Sequence, residues 1–360
     1  KEMLKCALEA HAKTYATIGN FNNHIGMPLT IARIHLDCKF AVLEMGMNHA
    51  CEIAELTKIA QPDVTIINNI EKVHLENFAN LAGIADAKAE IFLGQSSDNP
   101  LNATILNYDN QFFDYLVRKA SNIDNIISFG SNNSTPNSSI TNSSITNSSA
   151  KNKLADFCLS EYDSANNHVT LQDNINNKTY KYNLSINGRH QALNSVAVLA
   201  IINHLNLPLE KSIANLANYQ ANKGRGQQRH ITIDNKNIYI IDDCYNACPV
   251  SMQAAFNTIA PLQPNSRIIA IIGDMLELGS ESKDLHIALQ EYILSSKISK
   301  IVTIGEVMHY LYQAMPADYK LLPHYNNNDE MLAQLTTLTE QLEYNYMLLI
   351  NGSHCIKLKK

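Results

Sequence analysis

Short runs of apolar, β-branched residues recur along this chain, with helix-length stretches between them. Phe40 to Met45, Val64 to Asn68 and Ala103 to Asn107 make one group; Asn237 to Asp242, Arg267 to Ile272, Lys300 to Ile304 and Tyr346 to Ile350 make a second. Strands of that length separated by helices predict parallel sheets in an α/β architecture. The first ten residues carry helical spacing instead, with Met3, Leu4, Ala7 and Leu8 on one face. Neither an N-cap nor a strand precedes that helix, an odd place for a domain to open.

Between the two groups the texture changes. Ser131 to Ala150 repeats Asn-Ser-Ser-Ile-Thr, with copies starting at Asn137, Asn142 and Asn147. So polar a repeat buries too little apolar surface to offset its ordering entropy, which predicts a disordered insertion over 131–150. Phe157 to Leu184 alternates polar and apolar positions, with Tyr180, Tyr182 and Leu184 on one side, and predicts a small antiparallel patch. A helix is expected from about Gln191 to His204. Gly224 and Gly226 flank Arg225 where the strand pattern restarts, so the expected domains are 1–223 and 224–360.

A chain of 360 residues has room for those two domains. Its net charge of -6, with no Lys/Arg stripe beyond the Lys357 to Lys360 tail, argues against nucleic acid as a partner. It has no window of about 18 apolar residues, so no membrane span is expected. Seven scattered cysteines suit a reducing, cytoplasmic setting better than a disulfide scaffold. Cys244 and Cys248 are four apart, but no second pair or nearby His completes a zinc site.

The candidate chemistry gathers at strand ends, where ligands bind in open α/β sheets. Glu44 closes one apolar run, and a carboxylate there can hold Mg²⁺ beside phosphate oxygens. His74 and Lys88 lie just past the run ending in Asn68-Asn69. Taken singly, each also reads as an ordinary strand-end acid, a solvent-facing histidine or a solvated helix face. Thr14 to Pro28 packs glycines and asparagines into a loop suited to an anion, or into a plain turn. In the second half, Asp242-Asp243 ends a strand where an acid can accept ribose hydroxyls, and Tyr245 can pack against a base. Arg225, between two glycines, can reach a phosphate with its planar fork.

These stretches, in this order, resemble the Mur ligase family. The matching segments are Gly19 to Pro28, Glu44 to Asn48, His74 to Glu76, Ala87 to Phe92, Asn187 to His190, Asp242 to Ala247 and Gly273 to Gly279. The likeness is strongest to the branch that joins D-alanyl-D-alanine to UDP-N-acetylmuramoyl-tripeptide. It implies a central ATPase domain with a parallel sheet of the P-loop type, then a Rossmann-like C-terminal domain. It also implies ATP and Mg²⁺ as cofactors and an acyl phosphate intermediate. By that resemblance Glu44, His74 and Lys88 are the catalytic metal ligands, Lys88 as a carbamate. Asn194 reads adenine, Arg225 contacts the terminal phosphate, Asp243 holds the ribose, and Asn22 and Asn23 face the acceptor.

Nowhere in the 360 residues is a Gly followed by Lys. The phosphate-gripping loop that the family carries ahead of the first helix is thus absent from them. The expectation is that these residues alone are inactive and that a missing N-terminal piece is a partner. The alternatives are a non-catalytic remnant and an interaction protein that keeps the fold and binds a nucleotide.

Overall fold

The computed structural model describes residues 1–72, 75–131, 154–221, 224–233, 236–245, 247–259, 267–334 and 346–353. It divides into two compact units, one of Lys1–Glu71 with Asn77–Tyr219, the other of Lys72–Glu76 with Gln220–Lys360.

In the first unit, α1 (Glu2–Glu9) buries Met3, Ala7 and Leu8, the stripe read from the sequence, while Leu4 stays half-covered. β1 (Thr14–Ala16) and β2 (Phe40–Val42) form a two-stranded parallel sheet. The apolar run beginning at Phe40 stops being a strand at Val42, three residues short of the expected Met45. Thr17 explains the stop. Its N–H donates to Val42 O (3.0 Å) and its hydroxyl accepts from Glu44 N–H (2.9 Å), so a side chain replaces the ladder. α2 (Gly26–Ala32) and α3 (Glu52–Ala60) complete this region.

A six-stranded sheet follows in chain order: β3 (Val64–Ile67), β4 (Ala103–Asn107), β5 (Asn125–Ser131), β6 (Phe157–Asp163), β7 (His168–Asp173) and β8 (Lys178–Asn183). The first four are parallel and the last three antiparallel, the patch expected over 157–184. β4 is buried from Ala103 to Leu106, as a parallel strand covered on both faces should be. β8 alternates, with Tyr182 buried between exposed Lys181 and Asn183. The Tyr182 hydroxyl meets Ser195 Oγ (2.7 Å) and so fixes the sheet to a helix. The remaining helices of this unit are α4 (Leu81–Ala89), α5 (Phe113–Lys119), α6 (Arg189–His204), which carries Ser195, and α7 (Leu209–Leu216). Ser131 closes β5, and the rest of the expected insertion lies outside the described residues.

In the second unit β9 (Gln227–Ile233) and β10 (Lys236–Asp243) form an antiparallel hairpin. β10 then pairs in parallel with β13 (Tyr346–Asn351), which pairs with β11 (Arg267–Gly273) and through it with β12 (Ile298–Ile304). Along β11, Ile268, Ala270 and Ile272 join one core with Met252, Phe256 and Leu289, whereas Ile271 joins another with Val302, Leu322 and Met331. Both faces are therefore covered, as in doubly wound sheets. The covering helices are α8 (Pro249–Thr258), α9 (Ser282–Ser295), α10 (Met308–Ala314) and α11 (Asn328–Leu332). Beyond the strand ends, Ser353 Oγ accepts from Ala247 N–H (3.3 Å) and Leu276 N–H (3.2 Å), and its own N–H donates to Asp274 O (2.9 Å).

His286, on α9, is fully buried. Its Nε2 accepts from Met275 N–H (3.0 Å), so Nδ1 carries the proton and donates to Ser282 O (2.6 Å). Burial holds its pKa below the ordinary histidine value of 6.5, against the Ser282 carbonyl and the nearby Asp274 carboxylate, which raise it. The unfolded chain thus takes up a proton at a pH where the native one refuses it. Stability is full above about pH 6.5 and falls as pH drops below that, by up to about 1.4 kcal/mol per pH unit for this one proton. Urea denaturation at several pH values is expected to show the fall, with a shallower slope in His286→Gln. His190, His324 and His11 shift in the same sense, so some slope remains.

Candidate functional site

The turn after β3 is the focus of the first unit. Asn68 Nδ2 donates to Asn194 Oδ1 on α6 (3.0 Å), and Asn107 Nδ2, from the end of β4, donates to Asn68 O (3.0 Å). Asn69 Nδ2 donates to Glu71 Oε1 (2.7 Å), Asn110 Nδ2 donates to Asn69 Oδ1, and Lys88 Nζ on α4 donates to Asn69 O (2.8 Å). Two residues expected from sequence, Lys88 and Asn194, therefore reach the same two-residue turn at the carboxyl end of a parallel strand. Burial raises the Glu71 carboxyl's pKa, while the Asn69 amide and the Lys88 ammonium pull it back. That carboxyl was not foreseen as part of the site.

Lys88 stands on a helix that is fixed at several points. Asn80 caps its start by accepting from Gly83 N–H (3.1 Å). Asp86 pairs outward with Lys119 (2.7 Å) and accepts from the Tyr115 hydroxyl (2.5 Å). Glu90, just past the helix, accepts from the backbone N–H of Cys51 (2.6 Å) and Ala54 (3.0 Å). These are orphan donors at the start of α3, where a carboxylate also meets the positive end of the helix dipole. The stretch Asp86 to Glu90 is thus no mere solvated face. Its alternation of Asp86, Lys88 and Glu90 held the signal, but nothing local told where Glu90 would reach.

Glu44 lies two residues past β2. Its Oε1 accepts from Asn22 Nδ2 (3.0 Å), and its Oε2 faces Lys1 Nζ at 3.5 Å. Asn22 O accepts from Gly46 N–H (2.8 Å), and a Cβ on Gly46 would stand 2.6 Å from Asn22 Nδ2, so a larger residue there would push the amide off Glu44. Asn23 does different work. Its Oδ1 accepts from Ile25 N–H (3.2 Å) and Gly26 N–H (2.8 Å), turning the chain into α2. His74 lies outside the described residues. Among the described residues no group of three or more His, Cys, Asp and Glu side chains is placed to hold a metal ion.

In the second unit, Arg225 sits between Gly224 and Gly226, both at φ +75°. Its guanidinium carbon lies 4.1 Å from the centroid of the Tyr245 ring. Asp243 ends β10 and accepts from Asn351 Nδ2 (3.3 Å) on β13. Burial pushes the Asp243 carboxyl up to about 7; Arg225 opposes that rise and Asp242 adds to it. The Cys244 thiol donates to Asp242 Oδ1 (2.7 Å) and is pushed up to about 12, mainly by burial, which leaves it protonated and unreactive. Cys248 opens α8 in a reciprocal cap with Ser251.

Residues 1–202 match the Mur ligase middle domain, and residues 224–354 match the Mur ligase glutamate ligase domain. The chain is 36% identical to the UDP-N-acetylmuramoyl-tripeptide–D-alanyl-D-alanine ligase of Rickettsia prowazekii, over all of this chain and 74% of that protein. To the Escherichia coli protein of the same name it is 29% identical, over all of this chain and 72% of the other. A crystal structure of MurF from Acinetobacter baumannii superposes with a TM-score of 0.80 at 27% identity, covering 100% of this chain and 72% of that one. A Thermotoga maritima MurF ligase in complex with ADP shares the fold, with a TM-score of 0.76 at 23% identity over 99% of this chain and 74% of the other.

Proposed function

The chain belongs to the Mur ligase family, and from that premise we propose that it is the ATP-dependent ligase joining D-alanyl-D-alanine to UDP-N-acetylmuramoyl-tripeptide in peptidoglycan precursor synthesis. One observation carries this reading: the likeness to relatives of that name runs the whole length of the chain. Residues 1–223 would form the central ATP-binding domain and 224–360 the C-terminal domain, with the Gly224 and Gly226 turn as the support for that boundary.

The reaction moves the terminal phosphoryl group of ATP to the tripeptide's terminal carboxylate, releasing ADP. The dipeptide amine then attacks the acyl carbon, the carbon–oxygen bond to phosphate breaks, and the amine gives up a proton. Such chemistry gathers several anions, so the protein's task is positioning and charge stabilisation. Arg225 would meet the terminal phosphate with its fork, Asp243 would accept ribose hydroxyls, Asn194 would read the adenine edge and Tyr245 would complete the nucleotide set. Asn22, already donating to Glu44, and Asn23 would face the acceptor.

The donor chemistry suits Mg²⁺, which takes one or two carboxylates along with phosphate oxygens and water. Glu44 offers a partly exposed carboxylate, and His74 would join it. Lys88 suits the role as a carbamate. Carbamylation removes its cation, leaves one N–H that can keep donating to Asn69 O, and adds two oxygens. Mg²⁺, when bound, would supply charge neutralisation around the phosphates. A cytoplasmic location accords with nucleotide-linked substrates and with six described cysteines that are all free. No helix among the described residues is long and apolar enough to cross a membrane.

The 360 residues hold no Gly-Lys dipeptide, and the lysine and hydroxyl of such a loop grip the phosphates. By themselves they are expected to bind nucleotide weakly and to form no amide. Joined behind a segment that carries a Gly-Lys-Thr/Ser loop, they are expected to make UDP-muramoyl-pentapeptide, read by mass spectrometry, with phosphate release that needs both peptides. A joined chain that makes no pentapeptide, or hydrolyses ATP regardless of the peptides, would leave the remnant reading in its place.

A further inference from the structure

Arg225 is exposed, yet its backbone is pinned on both sides. Tyr245 N–H donates to Gly224 O (2.9 Å), and Gly226 N–H donates to Asp242 O (2.9 Å), so the turn is tied to the end of β10. Both glycines take the left-handed conformation that other residues resist. A Cβ on Gly224 would stand 3.1 Å from Tyr245 N and 3.2 Å from Tyr245 Cβ, so the turn presses directly on Tyr245. From that turn the guanidinium folds over the ring at 4.1 Å. The contact covers one ring face with a cation, where a base stacking on Tyr245 would compete for the same surface.

We propose that Tyr245 is a positioning residue for Arg225: its ring is the platform that presents the guanidinium to the terminal phosphate of a bound nucleoside triphosphate. This rests on the nucleotide reading given above. A guanidinium held by its face keeps its in-plane N–H fork for an anion. An exposed arginine without that platform must surrender rotamer freedom when the phosphate arrives, which weakens binding of the terminal phosphate alone. The phenol hydroxyl takes no part in the stack, so phenylalanine serves as well as tyrosine.

The test is titration calorimetry on the 360-residue chain with Mg²⁺, using ADP and a non-hydrolysable ATP analogue at millimolar concentrations. Tyr245→Phe is expected to bind both as the wild type does. Tyr245→Leu is expected to weaken the analogue about three- to thirty-fold while leaving ADP nearly unchanged. In an Arg225→Ala background the leucine substitution is expected to add nothing. Equal losses for ADP and the analogue would make Tyr245 a base platform and overturn the proposal, as would additive losses in the double variant. A wild type that binds neither nucleotide overturns this proposal alone, since the ligase reading is decided separately by pentapeptide formation in the joined chain. Proton NMR of the ligand-free chain adds a readout apart from affinity: the ring should shift the Arg225 side-chain resonances upfield, and Tyr245→Leu should abolish the shift.

Discussion

Replacing Lys88 by alanine is expected to slow amide formation by about a thousand-fold in the joined chain that completes the reaction. The lysine reaches Asn69 O at the end of β3, while its neighbours Asp86 and Glu90 are each engaged elsewhere. Alanine therefore removes the functional group and leaves the helix held by its other ties. Arginine in its place separates two accounts of the residue. If the ammonium acts as a cation, Lys88→Arg should retain much of the rate. If a carbamate ligates metal, Lys88→Arg should be as slow as Lys88→Ala, and added acetate or formate should partly restore the alanine variant. Labelled bicarbonate should then give a lysine carbamate signal in the wild type alone. A near-normal Lys88→Arg enzyme would sink the carbamate.

The second large effect falls on stability. Gly94→Ala is expected to cost about 3 kcal/mol or more, seen as a lowered urea midpoint. A Cβ at Gly94 would stand 2.2 Å from Thr57 Oγ1, 2.3 Å from Thr57 O and 2.6 Å from Thr57 C. Thr57 is wholly buried on α3, and its hydroxyl donates to Ile91 O (2.8 Å). Two of the three obstacles are backbone atoms, so the helix itself must retreat. Truncating the neighbour in Thr57→Ala should not rescue the variant, whereas a side-chain clash alone would be rescued. The retreat would also strain the Glu90 clamp on α3.

Much of the architecture was legible because strand burial leaves a local mark. Ala103 to Asn107 and Arg267 to Gly273 are apolar runs, and they fold as covered parallel strands. β9 left no such mark, since Gln228, Arg229 and His230 at a sheet edge are all exposed. β5 was hidden by Ser128, whose polarity is answered at a distance by Asp156 (2.7 Å). The site divides the same way. Lys88 could be marked as a candidate from its segment and Asn194 from the family resemblance, but their meeting at Asn68-Asn69 could not. The reach of Glu90 to α3 and the stack of Arg225 on Tyr245 join residues whose separation no periodicity encodes.

Ser353 carries a consequence of its own. Its hydroxyl and N–H hold the loops that follow β10 and β11 to the end of β13. Displacing Ser353 withdraws the acceptor of both loop amides and the donor to Asp274 O together, so the two loops and the end of β13 are expected to open as one. Proton–deuterium exchange at Ala247, Leu276 and Ser353 then reports a single cooperative opening rather than three independent ones. Exchange at three unrelated rates would show instead that each loop is held by its own contacts.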